Sequence, residues 1–324
     1  MQQYEYFIRL YEQSVNNADF INSIENDSSI NHLNEGILNG SKINKDILIE
    51  TNADEIKEKI KNNSLTTLRL GCVEASFFLL YKLNKNVPLE HIVYSGFPDE
   101  KMKNNTGLYY KNDIDRDRVS EWYCNHLLEL ANESTLTSCY SVIKYDLTFY
   151  SYLNIKGKTL HNWGLLPEIL MTSLEGKKVL VISNATDILK KSADRGLENI
   201  YNIPIGKFSS IYYIKTPQTT AGAEYPDDSI IETTDKILQQ IKNINFDIVF
   251  LACGAYGVAL TNEVRKMGKM AVYLGSALYT MFGVYSVGIP LPYDNIYKTE
   301  NFIEIEEKCP EHCKNIDEGK YWKV

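Results

Sequence analysis

The chain has 324 residues, of which 44% are hydrophobic, and a formal net charge of -8. That length and apolar content suffice for one large α/β domain or two smaller ones. An acidic balance without a long Lys/Arg block excludes an extended contact with nucleic-acid phosphates, although backbone amides still suit small anions.

The opening MQQYEYFIRLYEQS lacks the basic cluster and apolar run of a secretory signal. It predicts a chain kept in a reducing cytoplasm, with its six cysteines as thiols. Residues 1–60 read as a small N-terminal helical region, with amphipathic helices at YEYFIRLYEQSV and NADEIKEKIKNN. From 61 to 290 the pattern becomes that of an α/β domain. Strands are predicted at TTLRLG, HIVYSG, SCYSVIKY, EGKKVLVIS, FSSIYYIKTP, FDIVFLACG and KMAVYLG. The last four are apolar and β-branched, as strands buried on both faces should be.

Between these strands, SIIETTDKILQQIKNI and GVALTNEVRKMG repeat apolar residues at helical spacing, and a glycine closes the second. The alternation predicts a mostly parallel, Rossmann-like sheet with helices on both faces. From Met270 to Tyr293 no residue is charged, a length near that of a membrane span. Gly275, Gly283 and Gly288 interrupt the stretch and Pro290 and Pro292 end it, so it reads as a buried strand, turn and helix and not as a transmembrane segment. Residues 291–324 form a polar C-terminal tail expected to pack on the outside.

In an open parallel sheet, ligands lie at the carboxyl ends of the strands. Here these ends read GCVE, TPQTTAG, CGAYG and GSALY, whose small residues let backbone amides approach a phosphate. Gly254 and Gly257 give only G-x-x-G, and the strand that follows supplies no acidic residue to hold a ribose, which disfavours a nicotinamide enzyme. Glu74 reads two ways: a first-turn carboxylate stabilised by the helix dipole, or a reactive group working with Arg69, which at the end of a buried strand needs an anionic partner. Asp115 and Asp117 form D-x-D but lead into a helical segment, where capping and surface ion pairs are their expected roles; a metal-gripping D-x-D is the alternative. Cys309, His312 and Cys313 resemble half a zinc site without a second pair. No G-x-S-x-G elbow or H-E-x-x-H helix occurs, which leaves hydrolase chemistry unsupported.

The ordered set RLGCVE, LEGKKVLVIS, TPQTTAG and FDIVFLACGAYGVALTNEVRKMGKMAVYLGSALYTMFGV resembles the GT-D fold glycosyltransferase-like proteins, over roughly residues 65–286. That resemblance implies a GT-D type domain that moves a sugar from a nucleotide-sugar donor, UDP-linked, to a glycan or lipid-linked acceptor. It also implies a role in polysaccharide biosynthesis, in the cytoplasm or peripherally at a membrane through the acceptor. The family's R-x-G-D-G-E motif matches Arg69, Gly71, Cys72, Val73 and Glu74. Cys72 stands in the aspartate place, so Glu74 carries over and an aspartate-dependent metal site does not. A divalent Mn or Mg ion, if bound, would have Glu74 as its ligand, since a thiol is a poor partner for either. Donor binding is then expected from Arg69, Gly71, Cys72, Thr219, Thr220, Gly222, Gly254, Ala255, Tyr256, Gly257 and Gly275, with Glu74 as catalytic residue. The alternative is a catalytically inactive sugar-nucleotide-binding or scaffold protein of the same fold. The sequence specifies no oligomeric state.

Overall fold

The computed structural model describes residues 53–71, 73–74, 77–78, 81, 102–134, 136–139, 166–289, 291–292, 295–316, 319 and 321–323. The helix expected at YEYFIRLYEQSV, the strand expected at HIVYSG, and Cys72 lie outside the described residues. In chain order come α1 (Ala53–Lys61), β1 (Thr66–Leu70), α2 (Arg116–Glu133), β2 (Leu136–Cys139), α3 (Leu166–Ser173), β3 (Lys178–Ser183) and α4 (Thr186–Ala193). They are followed by β4 (Ser210–Lys215), α5 (Ile230–Lys242), β5 (Ile248–Ala252), α6 (Tyr256–Lys266), β6 (Met270–Tyr273), α7 (Ala277–Met281), β7 (Val284–Tyr285) and β8 (Ile303–Glu304).

The first six strands form one sheet in the order β2-β1-β6-β5-β3-β4, and each neighbouring pair is parallel. The fold is thus α/β and Rossmann-like, as the alternating pattern predicts. Strand periodicity divides the core. On β5, Val249 and Leu251 join a cluster with Val119, Tyr123 and Leu127 of α2, Ile237 of α5 and Val258 of α6. Ile248 and Phe250 join a second cluster with Ile56 of α1, Leu170 of α3, Ile188 of α4 and Leu278 of α7. Helices therefore cover both faces, which is why β5 is buried from end to end.

Helix α5 shows how local sequence meets this requirement. Ile230, Thr233, Thr234, Ile237 and Ile241 recur at helical spacing and are the residues it buries. At its start, the Glu232 carboxylate reaches back to accept from the Asp228 amide (3.3 Å), just before the capping Ser229, and so ties the incoming chain to the first turn. Strand β4 departs from expectation. It forms the edge of the sheet and is only partly covered, with Tyr212 exposed, because β3 pairs it on one side alone. The uncharged Met270 stretch resolves into β6, a turn, α7 and β7, as read, and no described helix is long and apolar enough to cross a membrane.

The tail is tied down at several points. Strand β8 pairs with β7, the His312 amide donates to the Ala221 carbonyl (3.1 Å), and Cys313 and Ile316 are buried against Ala221. Cys309 and Cys313 form a disulfide, which corrects the expectation that all six cysteines are thiols. The two residues are four apart in sequence with Cα atoms 5.7 Å apart, and Tyr321 and Trp322 pack against the same small cluster. So short a loop restrains the unfolded chain modestly, by ~2 kcal/mol on a chain-entropy reckoning. Reduction, or Cys309→Ser, should lower stability by about that amount in urea denaturation. The Ser variant should then show no further response to dithiothreitol.

Candidate functional site

From β3 the chain leaves through α4, on the second cluster's face, toward the edge strand β4. From β5 it leaves through α6, on the opposite face, toward β6. The gap between the ends of β3 and β5 is therefore a topological switch point, where diverging connections leave a crevice. A cavity of about 560 Å³ opens there, within the range of small-molecule sites.

All the strand ends singled out in the sequence contribute to it. Arg69, Gly71 and Glu74 come from the end of β1 and the helical turn after it, Thr219 and Thr220 from the loop after β4, Gly254 and Tyr256 from the turn after β5, and Gly275 from the turn after β6. The other expected residues stand differently. Gly222 is pressed against the His312 ring, so that a Cβ there would lie 2.1 Å from the ring's Cδ2. Gly257 packs on the Tyr273 ring in the same way. Ala255 lies behind the cavity wall, fully buried.

The turn after β5 was expected to cradle phosphate with its amides, and half of that expectation is corrected. The Ala255 N–H donates to the Thr106 carbonyl (2.7 Å) and the Gly257 N–H to the Gly254 carbonyl (2.9 Å), so both are engaged within the protein. Gly254 has φ +55°, and a Cβ on it would meet the Thr106 carbonyl oxygen at 2.2 Å, so only glycine fits. The turn of Met102–Thr106 thus braces the site. It accepts from the Ala221 amide through Asn104 (2.9 Å), and the neighbouring Gly107 carbonyl accepts from the Thr219 hydroxyl (3.1 Å).

Glu74 is only 9% exposed, and Gly71 leaves room for its carboxylate, since a Cβ on that glycine would sit 2.2 Å from Oε2. Burial raises its pKa above the usual carboxylate range, against the opposing pull of Arg69 and a hydrogen bond from its own amide. The Arg69 guanidinium lies over Gly275, which must lack a side chain to admit it. Tyr273 is close enough to both Glu74 and Arg69 to be influenced by their charges. Its hydroxyl donates to the Gly254 carbonyl (2.9 Å), and its pKa is pushed up by burial and by Glu74, with Arg69 opposing. The arrangement supplies a fixed cation, a carboxyl group able to change protonation state, and phenolic hydroxyls around the cavity.

That donor set does not fit Mn or Mg. One carboxylate beside a guanidinium offers no hard-oxygen cage, and no three His, Cys, Asp or Glu side chains converge among the described residues. Asp115 and Asp117 do not line the cavity. Asp115 pairs with Arg118 (2.8 Å), as expected of a surface ion pair, but its side chain makes no capping hydrogen bond.

Several lining residues were not anticipated from sequence. Asn184 directly follows β3 and would have been found by extending the strand-end rule to that strand. Tyr273 is the last residue of a buried strand, where an aromatic reads as core. Asn105, Thr106 and the tail residues Ile305, Glu307, Ile316, Tyr321 and Trp322 are brought in by tertiary packing alone. Comparisons with protein-family models, with curated proteins and with solved structures find no match.

The electrostatics of Glu74 have a measurable sign. A carboxyl whose pKa is raised on folding favours the folded state while protonated, and that contribution is lost as pH climbs through the folded pKa. Glu74→Gln keeps the neutral shape. Its melting temperature relative to wild type should therefore rise as pH climbs above the ordinary carboxyl range and level off once Glu74 is ionised in the folded state; a constant difference would mean that Glu74 titrates normally.

Proposed function

We propose that the protein is a glycosyltransferase of GT-D type that moves a sugar from a nucleotide-sugar donor, UDP-linked, to a hydroxyl of a glycan or lipid-linked acceptor. The observation that carries this reading is the meeting of Arg69 and the buried Glu74 with the glycine turns after β5 and β6 in one cavity at the switch point. It is the place where this class of fold holds nucleotides. The resemblance of RLGCVE to the GT-D motif falls on the same residues.

In this mechanism Glu74 takes the proton of the acceptor hydroxyl. The acceptor oxygen bonds to the anomeric carbon as the bond from that carbon to the phosphate oxygen breaks, and the electron pair leaves with the nucleoside diphosphate. Arg69 stabilises the charge that develops there. Once ionised, a buried carboxylate of raised pKa is a stronger base than an ordinary one, which suits Glu74 to this work. No metal enters any step. The protein would work in the cytoplasm, peripherally at a membrane where the acceptor is lipid-linked.

Cys72, in the place of the motif's aspartate, favours a second reading, a sugar-nucleotide binder without turnover. Thermal shift against nucleoside diphosphates and nucleotide sugars, with assay of free nucleoside diphosphate, separates the two. A ligand at a hundred times its Kd stabilises the folded state by about 2.7 kcal/mol, enough to read as several degrees. A transferase should bind and release diphosphate, and Glu74→Gln should cut release by about 10² to 10⁴ while leaving the shift. Arg69→Ala should weaken both. A shift without release would select the binder, and no shift with any nucleotide would end both readings.

A further inference from the structure

The tail's side of the cavity rests on a small packing unit of its own. Ala221, Cys313 and Ile316 are buried together, and Cys309, Tyr321 and Trp322 pack against them. This unit is separate from the two large clusters that flank the sheet. Ile316, Tyr321 and Trp322 line the cavity from the tail, while Thr219 and Thr220 line it from the loop that carries Ala221. The unit therefore joins two walls of one cavity.

The joint is made by the segment that the disulfide closes. Between Cys309 and Cys313 the chain turns, with the Cys313 N–H donating to the Pro310 carbonyl (3.0 Å). From this turn the His312 N–H donates to the Ala221 carbonyl (3.1 Å), the His312 ring lies against Gly222, and Cys313 is buried with Ala221. The Ala221 loop is also anchored elsewhere, since its amide donates to the Asn104 carbonyl (2.9 Å) and the Thr219 hydroxyl to the Gly107 carbonyl (3.1 Å). Opening the joint would thus free the tail and leave the loop in place. Beyond the joint, the Lys323 N–H donates to the Glu307 carbonyl (3.0 Å) and folds the end of the chain back along the segment before Cys309. So few buried contacts resist local opening weakly once the turn loses its covalent closure.

The bridge is open to attack from one side. Cys309 is partly exposed, Cys313 is 3% exposed, and the free thiols of Cys124 and Cys253 are buried. A thiolate arriving from solvent meets Cys309 first, and exposed bridges are the ones that exchange with thiols. We propose that Cys309–Cys313 is a site of reversible exchange with a dithiol reductant, and that its reduction unlatches the tail from the Ala221 loop and opens that side of the cavity. The reductant's thiolate attacks the Cys309 Sγ, the Sγ–Sγ bond breaks, and its electron pair leaves on Cys313, which takes up a proton. The reductant's second thiolate then attacks the reductant sulfur of the mixed disulfide and expels Cys309, which is protonated in turn. Two electrons and two protons pass to the bridge, and the dithiol becomes a disulfide.

Hydrogen exchange of the full chain, before and after dithiothreitol in native buffer, tests the latch, together with maleimide labelling mapped to peptides. Reduction should open Cys309 to maleimide and leave Cys124 and Cys253 unlabelled. Exchange should quicken about tenfold or more at the amides of His312 and Lys323, stay unchanged at the Leu274 amide of the sheet, and recover on reoxidation. Cys309→Ser should exchange as the reduced wild type does and ignore the reductant; the wild-type comparison stands whether or not this variant folds. An unlabelled Cys309, unchanged exchange at His312, or equal quickening at Leu274 would each overturn the latch. Its effect on a ligand rests on the nucleotide-sugar reading and is read by calorimetry with UDP. Reduction should weaken UDP binding about tenfold, and equal affinity in the two states would overturn the opening of the cavity. Failure of the oxidised protein to bind UDP would remove the nucleotide reading, and the exchange data would still decide the latch.

Discussion

Parallel strands cannot be joined by hairpins, so every return between the six strands of this sheet must cross one of its faces, and the buried ladder requires helices on both. With the strands aligned, all their carboxyl ends fall on one side, and the turns that begin each crossover gather there. The cavity follows from this geometry. Because β3 and β5 send their helices in opposite directions over opposite faces, nothing in the sheet's own connections fills the space between their ends.

What completes the crevice comes from outside the sheet. The turn at Met102–Thr106 fastens the loop after β4 and the turn after β5 to one another, taking the Ala221 and Ala255 amides and lying against Gly254. The tail, clamped by β8 and by the Cys309–Cys313 bridge, closes the opposite side with Glu307, Tyr321 and Trp322. The sheet thus supplies the cation and the buried carboxyl group, while the tail supplies an aromatic wall and a second carboxylate.

Most of the framework was legible in sequence because local composition and burial agree. KVLVIS and IVFLA are short, β-branched and covered on both faces, and α5 shows its buried stripe at regular spacing. The same rule misjudged β4, whose SIYYIK is as apolar as a central strand; only the pairing order reveals it as an edge. At the site, strand ends and glycines pointed to Arg69, Glu74, Gly254 and Gly275. Periodicity was silent about partners far apart in the chain. It could not show that the Thr106 carbonyl would occupy the Ala255 amide, that His312 would cover Gly222, or that the polar tail would reach the cavity.

The place of β1 in the sheet has a consequence for the order of assembly. One edge of β1 is met by β2, but its other neighbour is β6, and the Thr67 hydroxyl that receives the Tyr273 amide lies 206 residues earlier in the chain. During synthesis at the ribosome, β1 therefore waits with one side bare until almost the whole domain has emerged, and the tail that finishes the cavity emerges later still. Contacts of such long separation slow the search for the native state and leave an unpaired strand open to wrong neighbours meanwhile. Arg69 lies on that strand, so the protein acquires its cation's final setting only near the end of its own translation.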